Sequence, residues 1–457
     1  MRRTSGSLIV VLMSVLPAAA SGATRAAGPS GSIVLVDESH AVPLVHVEVA
    51  ARSGSSGDPR GEEGLINLAA ELARRGAAGK SREQLDEALD ALGARLDVIV
   101  EADSVRLQGH VLARNLKPFL ALVADVVLRP DFKPAEFNRT RREILAQLDE
   151  QRNDDRTLCA RFFERRLYGD HPYGRAADGT ARSLAKIRRE TAQARFKAAF
   201  TGANLIFAAA GDVTPEAFQG AIKEAFAKLP AGARLTGDIR TPLTPDGWRI
   251  QLVDKPDRQQ TQIMIGHATV PASHPDFLPL ALAFAAFGGR GMKATLMDEV
   301  RTRRGLAYGA YMGILPRRGP SAVRGWVFTG VERTVTTLKL VLRLYRKLMK
   351  DGVPAQRLRF FQGFVAGTYA SEMDAPERRL GARVSAELEG LPEDFVDTYV
   401  ARIKAITPDQ VATAIKTHVK ADNLAITLVA TADTLAKLLV KSGIHPDAID
   451  IVKYDSY

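Results

Sequence analysis

The chain has 457 residues, 46% hydrophobic and 25% charged, which is too long for one compact core and predicts two to four domains stabilised by apolar burial. Its only cysteine, Cys159, excludes an internal disulfide and any multi-thiolate metal site. The formal charge of +11 is spread along the chain with no nucleic-acid module signature, so nucleic acid is not an expected partner and acidic partners or peptides are favoured.

Residues 1–23 read as a secretory signal. Arg2 and Arg3 supply the positive start, the apolar run Leu8 to Leu16 is too short to span a bilayer, and small residues predict cleavage near Ala20 or Ala23. No cysteine adjoins that point, so no lipid anchor is expected. No other segment approaches about 18 uninterrupted apolar residues, so no stable membrane insertion is expected. The predicted location is secreted, and periplasmic if the source is Gram-negative.

Two halves follow. Ile33-Val34-Leu35-Val36-Asp37 opens the first and Ile250-Gln251-Leu252-Val253-Asp254 the second, each a short β-type run ending in Asp. In the first half, a second strand is predicted at Leu44 to Ala51 and a helix at Gly61 to Arg75. A strand pair follows at Leu96–Val100 and Val105–Leu112, then helices at Pro118–Leu128 and Pro134–Asn153, a strand at Asn204–Ala210 and a helix at Pro215–Leu229. The densest basic run, Arg139-Thr140-Arg141-Arg142, lies in a helical pattern and reads as a solvated face. In the second half, strands are predicted at Ile250–Val253, Thr261–Gly266, Ala307–Ile314 and Ala322–Phe328. Helices are predicted at Phe277–Phe287, Thr334–Met349, Ala355–Tyr369 and Pro408–His418. The repeated order of elements predicts an α+β protein of two homologous lobes, each a mixed, mainly antiparallel sheet packed with helices. The lobes are placed at 30–230 and 249–457, with a Pro-, Gly- and Thr-rich linker at 231–248.

Three segments carry a resemblance. They are Gly64 to Gly76, the loop Gly169-Asp170-His171-Pro172-Tyr173-Gly174-Arg175, and Gly288-Gly289-Arg290-Gly291-Met292 followed by Arg301-Thr302-Arg303-Arg304-Gly305-Leu306-Ala307-Tyr308. Together they resemble the insulinase/pitrilysin metallopeptidases over nearly all of the mature chain. In active members, the first segment is a helix bearing His-x-x-Glu-His, in which the histidines bind zinc and the glutamate activates water. Carried over, the histidine positions are Asn67 and Glu71, the base is Ala70, and the distal ligand on a later helix is Gln147. Ala70 accepts no proton, and Asn67 and Gln147 offer only neutral amide oxygens. Glu71 alone could ligate. Glu143 and Glu150 share a helix face with Gln147, but neither restores a histidine, and Pro271 argues against His267 and His274 sharing a helix.

The resemblance further implies that Arg301 and Tyr308 reach across a chamber toward a zinc site, the phenol donating to a developing oxyanion and the guanidinium holding a carbonyl or acid. It gives Leu96, Asp97 and Val98 as part of an edge strand that takes up extended peptide. The expected function is therefore a non-catalytic subunit with no cofactor of its own. It would supply Arg301 and Tyr308 in trans to a homologous partner carrying His-x-x-Glu-His and zinc, acting on unfolded peptides. A chamber protein that binds peptides without hydrolysis, and an independent peptidase with an atypical metal site, are the alternatives.

Overall fold

The computed structural model describes residues 23–235, 249–445 and 448–456. The signal reading of residues 1–23, Ala23 apart, and residues 236–248 of the linker reading lie outside the described residues.

Two six-stranded sheets dominate. The first half supplies β1 (Thr24–Ala27), β2 (Ile33–Glu38), β3 (Leu44–Ala51), a small ribbon of β4 (Gly76–Ala77) and β5 (Lys80–Ser81), then β6 (Arg95–Val100), β7 (Val105–Leu112) and β8 (Leu205–Gly211). Its sheet runs β1-β2-β8-β3-β7-β6, with only β2 and β8 parallel. The second half supplies β9 (Arg249–Asp254), β10 (Gln260–Thr269), β11 (Ala310–Leu315), β12 (Ser321–Gly330), β13 (Ala425–Ala430) and β14 (Ile449–Lys453). That sheet runs β11-β12-β10-β13-β9-β14, antiparallel except where β9 meets β13 and β14. Discounting the ribbon and the outermost β1 and β14, both sheets place their strands in one spatial order, third-fourth-second-fifth-first. The duplication expected from a five-residue echo is thus a duplication of topology, and the α+β class with two lobes holds.

The first-half helices are α1 (Leu65–Ala73), α2 (Arg82–Ala91), α3 (Leu116–Leu128), α4 (Pro134–Gln151), α5 (Asp155–Tyr168), α6 (Ala181–Lys186), α7 (Arg189–Ala199) and α8 (Pro215–Ala225). Those of the second are α9 (Phe277–Gly288), α10 (Thr334–Asp351), α11 (Ala355–Glu372), α12 (Pro376–Glu389), α13 (Phe395–Ala405), α14 (Pro408–His418) and α15 (Ala432–Lys441). One face of each sheet packs on helices of its own half, giving the two main cores. The other face is covered by a helix from the opposite half. Leu380, Val384 and Leu388 of α12 lie on Leu35, Ala50, Ile206, Ala208 and Ala210 of the first sheet. Leu158, Cys159, Phe162 and Phe163 of α5 lie with Val253, Met264, Ala425 and Val429 of the second. Strands covered on both faces lose alternation, and β8 and β13 are buried at every residue. Gly266 of β10 leaves room at this crossing, because a Cβ there would fall 1.8 Å from the Val323 carbonyl oxygen and 3.3 Å from the Phe163 ring.

Charge reinforces the exchange. Asp37, the residue that ends the first strand motif, is 3% exposed and accepts from Arg379 Nε at 3.0 Å and Arg383 Nε at 3.4 Å, both on α12. Buried Arg52 donates to the Glu387 carbonyl at 2.7 Å and its carboxylate at 2.6 Å. Asp254, the echo of Asp37, instead accepts from the backbone N–H of Ala432 at the start of α15. Equal sequence signals therefore serve different ends.

Several predicted boundaries are corrected. The helix expected from Gly61 begins at Leu65, because Gly61 and Gly64 adopt left-handed backbone, with φ of 89° at each. The helix expected to reach Leu229 stops at Ala225, and the strand expected from Ala307 starts at Ala310. Among the described residues no helix is long and apolar enough to cross a membrane.

Candidate functional site

Asp58 sets the start of α1 from outside the helix. Its carboxylate accepts from the Ile66 backbone N–H at 3.2 Å and from Arg195 Nε at 3.3 Å, and burial pushes its pKa up to about 6. Arg175, from the loop Gly169–Arg175, donates to the carbonyls of Asp58 and Ser56 at 2.7 and 3.1 Å. The same loop joins the lobes, since the Tyr173 hydroxyl donates to Asp103 and accepts from the Gly319 N–H at 3.0 Å. It is a structural joint that holds the approach to α1. Beside it opens a cavity of about 1230 Å³ lined by Arg60, Arg165, Arg175 and Arg182 together with Asp58 and Asp170.

On α1, Ala70 is fully buried, while Asn67 and Glu71 are half-buried one turn apart. Helix α4 packs against α1 and carries Glu143, half-buried, with Gln147 and Glu150 exposed. Arg75, one turn beyond Glu71, donates to Glu143 across a 2.6 Å bridge. That bond, foremost, holds the Glu143 carboxyl below the usual range. Burial raises the pKa of Glu71, and Arg75 is the foremost charge opposing that rise. A guanidinium, then, already lies between Glu71 and Glu143. With a methyl group at the base position and an exposed amide at the distal one, these residues do not fit a zinc ion.

The second-half motif is built differently. Helix α9 ends at Gly288, where a Cβ would come 2.5 Å from the Met312 backbone nitrogen of β11. Glycine lets helix and strand approach, and Gly291, at φ 122°, turns the chain away. Arg301 lies in a single π-helical turn, Met297–Thr302, a distortion frequent at functional sites. Its neighbours Arg303 and Arg304 pair with Asp298 and Glu299, but among the described residues no carboxylate lies within 4.0 Å of Arg301. Its guanidinium lies 4.6 Å from the centre of the Tyr308 ring, over its face. Tyr308, two residues before β11, is 72% exposed. The structure thus brings Arg301 and Tyr308 together at a surface.

The same half exposes large apolar groups that sequence reasoning missed, Met292 among them, whose sulfur lies 3.9 Å from Arg301 Nη1. Met292, Phe360 and Phe364 are 53%, 51% and 40% exposed, and a Cβ on Gly291 would lie 3.5 Å from the Phe364 ring. The signal was present in α11, where Phe360, Phe361, Phe364 and Val365 cover more of the helix than one buried stripe needs.

Leu96, Asp97 and Val98 fall in β6, at the open edge of the first sheet as expected. Leu96 is buried, Asp97 is exposed and pairs with Arg95, and the Leu96 carbonyl accepts from Arg74 Nε at 3.3 Å. That edge carbonyl is already used within the chain.

Residues 33–181 match the family model described as Insulinase (Peptidase family M16), and residues 186–360 match the one described as Peptidase M16 inactive domain. Together the matches span well over half of the chain. An uncharacterized zinc protease of Mycobacterium tuberculosis is 25% identical over 86% of this chain and 90% of its own length. A protein of Helicobacter pylori named a non-peptidase homolog is 21% identical over 87% and 91%. Among solved structures, a peptidase M16 inactive domain from Pseudomonas fluorescens superposes with a TM-score of 0.84 at 26% identity, covering 89% of this chain and 97% of that one. A protease from Helicobacter pylori shares the fold, with a TM-score of 0.80 at 17% identity over 89% and 99%.

Proposed function

The chain belongs to the insulinase family, peptidase family M16, and from that membership we propose that it is the non-catalytic half of a two-chain zinc endopeptidase. It lends Arg301 and Tyr308 to the zinc site of a homologous partner that carries His-x-x-Glu-His. The reading includes export through residues 1–23 and, in a Gram-negative cell, action in the periplasm on unfolded peptides. A lone, buried Cys159 suits an oxidising compartment.

The carrying observation is the contrast between the two halves. The first has Ala70, with no group to accept a proton from water, and Arg75 among its carboxylates. The second displays a tyrosine 72% exposed, under a guanidinium that, among the described residues, no carboxylate within 4.0 Å claims. Among the described residues the Tyr308 hydroxyl has no hydrogen-bond partner, though its ring meets Arg301 and Phe328. When a substrate carbonyl becomes an oxyanion at a partner's metal, a phenol O–H is a suitable donor and Arg301 a suitable clamp for a neighbouring carbonyl or terminal carboxylate.

The test is to purify the chain alone and with a His-x-x-Glu-His relative from the same genome, and to follow cleavage of an unstructured peptide. The chain alone should show background hydrolysis and the pair turnover. Tyr308→Phe should lower kcat about 100-fold or more with the pair still assembled. Cleavage by the isolated chain that depends on Glu71 refutes the reading. So does an active pair indifferent to Tyr308→Phe; in that case the exposed apolar side chains of Met292, Phe360 and Phe364 favour a chamber that holds peptides without hydrolysing them.

A further inference from the structure

Strand β10 ends at Thr269, and the chain turns through Pro271 and His274 into α9, which packs against α14 and its last residue, His418. The turn is fixed by its own backbone: His274 N–H donates to the Pro271 carbonyl at 3.0 Å and Phe277 N–H to the His274 carbonyl at 2.9 Å. One ligand atom from each of His274, Asp276 and His418 lies within 4.8 Å of the other two. Asp276 Oδ2 is 2.8 Å from His418 Nε2 and 3.9 Å from His274 Nδ1, and the imidazoles stand edge to face with centroids 5.3 Å apart.

Two features exceed what a simple His–Asp hydrogen bond needs. Asp276 holds the N-cap position of α9, yet its side chain caps no helix N–H and is turned to the imidazoles instead. Meanwhile the Asp276 backbone N–H donates to His274 Nδ1 at 3.1 Å, so that nitrogen is unprotonated and its lone pair is held by an N–H that an arriving cation would displace. One imidazole satisfies the carboxylate, and the second keeps an unprotonated nitrogen 3.9 Å from it. Lys420, the nearby cation, turns its ammonium to the Thr417 carbonyl. Its backbone N–H meets His267, which is buried against Tyr345 with its pKa pushed down to about 4 and so stays neutral.

We propose that His274, Asp276 and His418 form a binding site for a first-row transition metal ion of the zinc class, clasping the turn before α9 to the end of α14. Two imidazoles and one carboxylate suit such ions, while calcium and magnesium call for more oxygen. A tetrahedral ion with bonds of about 2.0–2.1 Å needs ligand atoms about 3.4 Å apart. The distances from Oδ2 to the two ring nitrogens bracket that value, so small side-chain rotations close the site. Side-chain exposures of 37%, 34% and 18% for His274, Asp276 and His418 leave a fourth position open to water. The site is remote in sequence from Glu71 and does not depend on the proposed function.

The experiment uses the full mature chain without an affinity tag, stripped by chelator and dialysed against Zn²⁺ or Co²⁺. Metal content is then measured alongside the visible spectrum of the cobalt form. One equivalent is expected. His418→Ala and Asp276→Asn should each weaken binding by at least about 100-fold, beyond the 10- to 100-fold that loss of a supporting partner brings. Glu71→Gln should bind as the unmodified chain does, and circular dichroism verifies folding of each variant. The proposal is overturned if the unmodified chain holds no stoichiometric metal, or if both His418→Ala and Asp276→Asn retain it. Metal lost in Glu71→Gln but kept in those variants would overturn it too, and would remove the premise of a metal-free first lobe.

Discussion

The exchange of α5 and α12 makes the stability of each half depend on the other, and Asp37→Asn probes that dependence. Asp37 is 3% exposed and faces two guanidinium groups, Arg379 and Arg383. Breaking a buried charge pair by removing one partner costs about 3–5 kcal/mol. Two facts reduce that here. Arg383 keeps Asp397, at 2.8 Å, and Arg379 keeps the carbonyls of Met373 and Asp374. A loss of about 2–3 kcal/mol follows, less than the full cost because both cations retain acceptors. With a denaturant slope of about 2–3 kcal/mol/M, the urea midpoint should fall by about 1 M. The assay is equilibrium unfolding of the full chain, repeated in an Arg379→Gln background, where the effect of Asp37→Asn should shrink by about 1 kcal/mol or more. A midpoint shift below about 0.2 M, or an equal shift in both backgrounds, refutes the view that this contact holds α12 on the first sheet.

Burial pushes the carboxyl of Glu389, at the end of α12, up to about 7, against the pull of Arg106 and with the push of Asp103 and Glu101. An acid whose pKa is raised by folding favours the fold while protonated, so its contribution is full below about 4.5 and is lost as pH rises to about 7, by up to roughly 3 kcal/mol. Urea midpoints at pH 5 and pH 8 should therefore differ more for the native chain than for Glu389→Gln, and equal differences would contradict this. Gly266→Ala should destabilise by about 3 kcal/mol or more, because the added Cβ meets the Val323 carbonyl, which cannot rotate away. A thermal midpoint unchanged by that substitution would show that α5 crosses β10 with more room than the structure gives it.

Local pattern made much of the first half legible. The β3 bounds, Leu44–Ala51, and the α14 bounds, Pro408–His418, agree with the sequence reading, because alternation and a Thr-Pro start with capping Gln410 are local signals. Helices α5 and α12 were not legible. Each carries several basic or acidic residues, and each finds its apolar face covered mainly by the sheet of the opposite half. Arg301 and Tyr308 were found through their motif, whereas Phe360 and Phe364 needed the exposure that only the folded chain reveals. The cluster of His274, Asp276 and His418 was out of reach for another reason. Helical spacing signals paired histidines only within one helix, and these two meet across 144 residues through the packing of α9 on α14.

The two halves of this chain treat charge in opposite ways, and that opposition argues for a role shared with another molecule. In the first, Arg75 bridges to Glu143 and opposes the effect of burial on Glu71, so a cation already occupies the space between those carboxylates. In the second, a π-helical turn holds Arg301 over a tyrosine left in water, with Met292 beside the guanidinium and exposed Phe360 and Phe364 on the helix that meets Gly291. Leaving such side chains about half exposed forgoes on the order of 1 kcal/mol for each, and it invites association. A surface of that kind gains a physical reason when something covers it. On the proposed function the covering molecule presents an acceptor for the phenol proton and a group for the guanidinium, and a substrate peptide held at a partner's metal would offer both.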